Sequence, residues 1–221
     1  MTRIKICGMT SLEDADHAAS LGAWAIGLIH DADSPRFVDP AVAEEIGAAL
    51  KRRCEVAGVF VNAPIDEVVA AAERAQLTQL QLHGDEGPSF CAEAARRTGA
   101  KVMKAFRVHS AADVQAAEAF RTDLHLFDAY RKGVHGGTGT SFDWELLANR
   151  RSQVPMVLAG GLTPANVAGA IGAVHPYAVD VVTGVESEPG HKDHAKVEAF
   201  FSAVGSASGT GTQAPTRSGG S

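Results

Sequence analysis

The feature that most constrains the fold of this chain is a strict alternation of strand-like and helix-like segments. Eight short segments have the apolar or alternating patterns typical of strands, at residues 3–7, 23–29, 55–61, 79–82, 101–106, 124–128, 155–159 and 178–182. Eight segments with helical spacing follow them, at residues 11–21, 42–50, 65–75, 88–97, 111–120, 143–149, 165–171 and 192–203. Such alternation calls for a parallel sheet with helical crossovers, either doubly wound or closed. Eight repeats favour the closed form, an α/β fold of the (β/α)8 TIM barrel type.

A single domain accounts for most of the chain. The 221 residues are 45% hydrophobic, which is enough for one substantial core. We assign residues 1–204 to the barrel. Residues 205–221 are dominated by Gly, Ser, Thr and Ala without periodicity, so we predict a disordered C-terminal tail there.

Charge and cysteine content restrict the classes of partner. The formal net charge of -6 comes from interspersed acidic and basic residues, and no basic block indicates nucleic acid or an anionic membrane. We therefore expect a small-molecule partner. The three cysteines, Cys7, Cys54 and Cys91, have neither disulfide-framework nor metal-site spacing. Together with the absence of a signal-like or membrane-spanning apolar segment, this predicts a cytoplasmic protein.

The first strand ends in a thiol. Alternation along residues 3–7 places Ile4 and Ile6 on one face, and Lys5 and Cys7 on the other. Because barrel active sites lie at the C-terminal ends of the strands, Cys7 is a candidate base, although a free cysteine is also often a small buried apolar residue. A capping box formed by residues 10 and 13 would begin the next helix near residue 11.

An acid can be proposed for the opposite side of the barrel mouth. Asp128 ends the sixth strand and could exchange protons with the same substrate as Cys7, or it could cap a loop. A thiolate needs nearby positive charge, which Lys5 could supply. Asp180 on the eighth strand is an equally good partner for Lys5, because the eighth strand neighbours the first in a closed barrel. We favour this structural ion pair.

Two glycine-bearing loops suggest a phosphate site. Gly160 and Gly161 follow the seventh strand, and Thr183 and Gly184 follow the eighth. Barrel enzymes often bind phosphate in these two loops, where backbone N–H groups can converge on an anion.

Other strand-end residues are candidates for substrate contact. Arg36, in the loop after the second strand, could bind a carboxylate through two hydrogen bonds, or be a solvated surface residue. His83 could line the mouth or cap a loop. Lys104 more plausibly closes an ion pair than forms a Schiff base. The glycine-rich segment 130–141 would suit a lid, or a long connection.

Short motifs occur along the whole domain. They are Lys5-Ile6-Cys7-Gly8, Ser34-Pro35-Arg36, Gly58-Val59-Phe60-Val61-Asn62, Gln81-Leu82-His83-Gly84, Gly137-Thr138-Gly139, Phe142-Asp143-Trp144, Gly160-Gly161-Leu162, Val179-Asp180-Val181 and Gly184-Val185-Glu186. With these motifs the chain resembles the phosphoribosylanthranilate isomerase family of tryptophan biosynthesis. The motifs span residues 3 to about 200 and together are highly specific to this family.

The resemblance implies an enzyme and assigns its site. It makes Cys7 the general base, Asp128 the general acid, Arg36 the carboxylate ligand and the last two loops the phosphate site. The implied reaction is the Amadori rearrangement of N-(5-phosphoribosyl)anthranilate to 1-(2-carboxyphenylamino)-1-deoxyribulose 5-phosphate. It requires no cofactor and no metal, and the enzyme would be a monomer or a homodimer.

Some positions depart from the sequence pattern of the family. Residues 30–33 replace an aromatic and lysine-bearing segment and bring two acids near the proposed carboxylate site; Ala159 and Thr183 stand where serine is frequent. Other functions are possible for a chain of this kind. The most similar alternative is the histidine-pathway isomerase, whose family has an aspartate at the position of Cys7. A lyase such as indole-glycerol phosphate synthase would need lysine and glutamate partners at the strand ends, and the sequence does not supply a recognisable set of them. A barrel that only binds a sugar phosphate is the non-enzyme alternative.

Overall fold

Eight parallel strands pair in chain order, and the eighth pairs with the first, so that the sheet closes into a barrel. The structure is a computed structural model that describes residues 1–128, 145–148 and 150–209. The strands are β1 (Arg3–Cys7), β2 (Ala25–Ile29), β3 (Glu55–Phe60), β4 (Gln79–Leu82), β5 (Lys101–Arg107), β6 (Leu124–Asp128), β7 (Met156–Ala159) and β8 (Ala178–Val181). The predicted (β/α)8 barrel is therefore confirmed.

Helices alternate with these strands. They are α1 (Leu12–Ser20), α2 (Pro40–Leu50), α3 (Ile65–Arg74), α4 (Pro88–Thr98), α5 (Ala111–Ala116), α6 (Glu145–Ala148), α7 (Val167–Val174) and α8 (His194–Gly209). Single 3-10 turns cover Ala117–Ala119 and Thr183–Val185. Between the second of these turns and α8 lies a hairpin of two short strands, β9 (Glu186–Glu188) and β10 (His191–Lys192), which the sequence patterns did not reveal.

Alternating side chains divide the apolar residues into two layers. Ile4 and Ile6 belong to the large layer between the barrel and its helices. A smaller cluster, which includes Met103 and Leu126, fills the barrel itself. Lys5 and Cys7 face this interior, as the alternation along β1 predicts. The two layers together hold the strand ends in fixed positions around the mouth.

Several element boundaries differ from the predicted ones. The capping box at residues 10 and 13 is wrong: Ser11 caps α1 by accepting a hydrogen bond from the backbone N–H of Asp14, at 3.2 Å. Helix α7 begins at Val167 rather than residue 165, because Asn166 first closes a turn by accepting a bond from the N–H of Thr163. At α2, Asp39 caps the helix by accepting a hydrogen bond from the backbone N–H of Ala41, and Pro40 occupies the first helical position.

The C-terminal boundary also moves. Helix α8 starts at His194 rather than residue 192, because Lys192 pairs with Glu186 in the hairpin, and it continues to Gly209. The first part of the predicted tail, residues 205–209, is therefore helical. Residues 210–221, and the proposed lid at 130–141, lie outside the described residues. None of the helices in the part of the chain that the structure describes has the length and apolar character needed to cross a membrane.

Candidate active site

A cavity of about 380 Å³ opens at the C-terminal ends of the strands. It brings together most of the side chains that the sequence singled out, and its lining includes Cys7, Arg36, His83, Asp128, Gly160, Gly161 and Thr183. Gly184 is not part of this lining. A neighbouring cavity of about 420 Å³ at the ends of β3 to β5 shares His83, but it lacks Cys7 and Asp128. The cavity with the thiol and the carboxylate is therefore the candidate site.

Cys7 lies against a buried cation at the end of β1. Lys5 donates to both carboxylate oxygens of Asp180, at 3.0 and 3.1 Å, and also makes a side-chain hydrogen bond with Cys7. The predicted Lys5–Asp180 pair across the β1–β8 seam is thus confirmed, and Lys5 additionally contacts the thiol. Burial raises the pKa of the Cys7 thiol, although the charge of Lys5 opposes this effect.

Glycine on β2 makes room for this contact. A Cβ atom on Gly27 would lie 2.3 Å from Sγ of Cys7 and 3.0 Å from Nζ of Lys5. Any larger residue there would displace the thiol. Gly8, with φ of +74°, then turns the chain away from β1 in a conformation that favours glycine. The backbone around Cys7 is accordingly shaped by two residues without side chains.

Asp128 is accompanied by an imidazole. Oδ2 of Asp128 lies 3.6 Å from Nε2 of His83. On the other side of the ring, the side-chain amide nitrogen of Gln81 lies 3.2 Å from Nδ1 of His83. With the amide donating to Nδ1, the imidazole carries its proton on Nε2, directed at Asp128. His83 therefore lines the mouth, which is one of the two positions that the sequence suggested for it. It also lies beside the candidate acid.

Arg36 is already paired with a carboxylate from this chain. Its Nε and Nη2 donate to Glu186, with bonds of 2.9 Å to Oε1 and 2.7 Å to Oε2. Glu186 also accepts a bond of 3.0 Å from Lys192, which in turn donates to the backbone carbonyl of Cys7 at 2.7 Å. Sequence reasoning missed the parts played by Glu186 and Lys192. The motif Gly184-Val185-Glu186 marked Glu186 as part of the family pattern, but no local sequence pattern indicated that Glu186 pairs with Arg36.

The two glycine-bearing loops meet at the other side of the cavity. Gly160 and Gly161 have φ values of +95° and +63°, which favour glycine. A Cβ atom on Gly184 would lie 2.0 Å from the carbonyl oxygen of Leu162. Gly184 therefore lets the loop after β8 pack against the loop after β7. Phosphate binding by these loops stays a prediction.

Among the positions that depart from the family pattern, Ala159 and Thr183 line the cavity, whereas residues 30–33 do not. His30 stacks on Phe60 with ring centroids 5.0 Å apart, and burial lowers its pKa to about 4. Asp33 is exposed, and its backbone N–H donates to the side chain of Asp31. Neither acid is among the residues that line the 380 Å³ cavity. The electrostatics of the lining are thus set by other groups.

Lys104 forms the ion pair that its position favoured. Its ammonium lies 3.1 Å from Oε2 of Glu86 and donates to the backbone carbonyls of Leu82 and Gly84. A lysine saturated in this way is not available as a Schiff-base nucleophile. Within the described residues, no group of three or more His, Cys, Asp or Glu side chains is arranged to hold a metal ion.

Residues 4–203 match the family model of N-(5'-phosphoribosyl)anthranilate (PRA) isomerase. The chain belongs to this family. A phosphoribosylanthranilate isomerase from Geobacter metallireducens is 48% identical over 201 residues, which cover 91% of this chain and 98% of that protein. As a member of the family, the chain is an isomerase, and the resemblance drawn from the sequence motifs is confirmed.

Solved structures of phosphoribosylanthranilate isomerases share the fold. The enzyme from Thermotoga maritima has a TM-score of 0.84 and 38% identity, covering 93% of this chain and 100% of that one. Another solved family member, in complex with reduced 1-(o-carboxyphenylamino)-1-deoxyribulose 5-phosphate, has a TM-score of 0.81 and 36% identity, with coverage of 93% and 100%. That complex shows an aminodeoxyribulose phosphate bound to a member of the family.

Proposed function

We propose that this chain catalyses the Amadori rearrangement of N-(5-phosphoribosyl)anthranilate to 1-(2-carboxyphenylamino)-1-deoxyribulose 5-phosphate in tryptophan biosynthesis. The observation that supports this most is the shared cavity, in which a thiol, a carboxylate, a guanidinium and two glycine-bearing loops line one space of about 380 Å³. A substrate with a carboxylate at one end and a phosphate at the other matches that arrangement. The reaction would take place in the cytoplasm, in a monomer or a homodimer.

The chemistry needs one proton donor and one proton acceptor. Asp128 protonates the ring oxygen of the ribose, and the ring opens to a Schiff base. The Cys7 thiolate then removes the proton from C2 to give an enolamine, which tautomerises to the ketone. The substrate nitrogen serves as the electron sink, so no cofactor enters the proposal. Asp128 on β6 and Cys7 on β1 lie three strands apart around the barrel and line the same cavity, so acid and base can reach one substrate from different directions.

Neighbouring side chains support these two roles. The Lys5 ammonium stabilises the thiolate form of Cys7 through the hydrogen bond and the charge already described. His83 directs an N–H group at Asp128 and can stabilise the carboxylate that forms once the proton is transferred. Arg36 binds the anthranilate carboxylate, and Gly160, Gly161, Thr183 and Gly184 hold the phosphate.

Decay of anthranilate fluorescence tests this proposal. With freshly generated phosphoribosylanthranilate, the wild-type chain should accelerate the decay beyond the spontaneous background. Cys7→Ala and Asp128→Ala should each reduce kcat by about 10²- to 10⁴-fold, the usual contribution of a positioned acid or base. Cys54→Ala is the matched control, because this half-buried cysteine lies outside the cavity lining.

Two outcomes would count against the proposal. Unchanged rates in both Cys7→Ala and Asp128→Ala would reject the assigned mechanism. A wild-type chain that never exceeds the background would reject the activity, and would favour a barrel that only binds its sugar phosphate.

A further inference from the structure

The guanidinium of Arg36 uses only one of its edges within the described part of the chain. The side edge, formed by Nε and Nη2, binds the carboxylate of Glu186, which accepts from Nε with both oxygens and from Nη2 with Oε2. No described residue provides a hydrogen-bond acceptor for Nη1. Because a guanidinium is a rigid plane with two forked edges, the end edge formed by Nη1 and Nη2 still has N–H donors available.

Arg36 also lines the 380 Å³ cavity, and its side chain is 18% exposed. Its accessible surface therefore faces the site, while the bonds to Glu186 hold the other edge. These bonds raise the pKa of Arg36 above its ordinary value, so that it stays cationic. A second, bidentate carboxylate interaction is stereochemically open at the end edge.

Glu186 is itself fixed by several donors in a buried position. Its side chain is 5% exposed, and Oε1 accepts from Lys192 at 3.0 Å and from the backbone N–H of Gly190 at 3.3 Å. Burial alone would raise the pKa of Glu186, but the hydrogen bonds from Arg36 and the charge of Lys192 lower it below the ordinary value. The carboxylate therefore remains ionised.

The charges of this cluster leave one positive charge for the cavity. Arg36 and Lys192 contribute two positive charges, and Glu186 removes one. Lys192 is 1% exposed and is occupied by Glu186 and by the carbonyl of Cys7, so it does not reach the substrate. The remaining charge resides on Arg36, at the cavity wall, and matches a single carboxylate.

We infer that Glu186 is a positioning residue that holds Arg36 by its side edge and directs the end edge at the anthranilate carboxylate. The inference deepens the proposed function, since it rests on the assignment of that carboxylate to Arg36. Arginine has many rotamers, and a fixed guanidinium loses less conformational freedom when substrate binds. Lys192 links the cluster to the backbone of Cys7, so that the carboxylate ligand and the base keep a fixed separation.

The first test is Glu186→Gln, which keeps the shape of the side chain but removes its charge. We expect KM for phosphoribosylanthranilate to rise at least tenfold, with kcat within about threefold of wild type, because a ground-state contact is weakened. Glu188→Gln is the matched control: it lies two residues further along β9, is exposed, and should leave KM unchanged. A role in folding alone would lower the active fraction, and hence the apparent kcat, without moving KM.

A double-variant cycle tests whether Glu186 acts through Arg36. Arg36→Ala should raise KM more than Glu186→Gln does, and the combined variant should be no worse than Arg36→Ala alone. KM effects that multiply in the double variant would overturn the inference, as would a Glu186→Gln variant with the KM of wild type.

Calorimetry with reduced 1-(o-carboxyphenylamino)-1-deoxyribulose 5-phosphate separates this inference from the proposed reaction. The dissociation constant should rise at least tenfold in Glu186→Gln, whether or not the chain turns over its substrate. Tight wild-type binding without turnover would reject the reaction and leave the positioning role intact. Equal affinity in wild type and Glu186→Gln would reject the positioning role, and absence of wild-type binding would reject both.

Discussion

At the scale of single residues, the number of protons bound to Cys7 and Asp128 together predicts how the activity responds to pH. A carboxyl group ordinarily ionises at lower pH than a thiol, and burial raises the pKa of Cys7 further. At pH values where the carboxyl group is ionised and the thiol is not, the pair carries one proton, on sulfur. In the proposed mechanism the reactive form has Cys7 as thiolate and Asp128 as carboxylic acid, and it carries the same number of protons. Its share of the enzyme is then independent of pH between the two pKa values.

This proton count predicts a flat pH profile with an alkaline decline. We expect kcat/KM to stay constant through neutral pH and to fall only above the ordinary thiol value of about 8.5, where Cys7 loses its proton and Asp128 can no longer be protonated. Cys7→Asp should move the decline to lower pH, because a carboxyl group replaces the thiol. Fluorescence decay measured across pH checks both curves, and a wild-type decline already present at neutral pH would contradict the assignment.

Residues at strand ends could be predicted from the sequence, whereas the cluster beside them could not. Cys7 and Asp128 follow strand patterns directly, so barrel topology alone places them at the mouth. The Lys5–Asp180 pair was predictable because closure makes β1 and β8 neighbours. The bond between Arg36 and Glu186 joins a loop to a three-residue strand whose pattern is too short to be recognised. No periodicity relates two such positions.

At the scale of elements, the seam between β1 and β8 carries a buried ion pair. Lys5 and Asp180 are register partners across this seam, and neither is more than 4% exposed in its side chain. Burial alone would lower the pKa of Lys5, but the charge of Asp180 and the bond with Cys7 raise it. The ammonium is therefore retained as a cation inside the barrel, where it depends on its partner.

Breaking this pair should be costly. Asp180→Ala leaves a buried, uncompensated ammonium, and we expect the free energy of unfolding to fall by about 3–5 kcal/mol. Asp16→Ala is the control, because its pair with Arg53 is about half exposed and should contribute no more than about 1 kcal/mol. Urea denaturation of both variants measures the difference. Equal, small losses in the two variants would show that the seam does not depend on the pair.

At the scale of the whole molecule, the last helix and the residues after it differ in what they can contribute to the stability of the fold. Phe200 and Val204 of α8 are 0% and 1% exposed and pack in the outer core layer. Residues 210–221 contain no large apolar side chain, and the family match ends at residue 203. The helix therefore belongs to the structural unit, whereas the composition of the last residues provides little that could be buried.

Truncation should show this boundary. A chain ending at residue 209 should keep the melting temperature and kcat/KM of the full chain. A chain ending at residue 199 loses the burial of Phe200, worth about 1.5–3 kcal/mol for such a side chain, and should melt at lower temperature. Thermal unfolding followed by circular dichroism compares the three chains. A lower melting temperature for the chain ending at 209 would mean that the terminal residues stabilise the fold.

The seam also sets the order in which a working site can arise during synthesis. Lys5 and Cys7 are among the first residues of the barrel to leave the ribosome, whereas Asp180, Glu186 and Lys192 are among the last. Contacts between residues so far apart form late, since the intervening chain must first be ordered. A nascent chain therefore contains the Cys7 thiol long before the charged residues that surround it in the folded protein. The onset of turnover in a refolding or translation experiment reports the docking of β8 and the hairpin against β1.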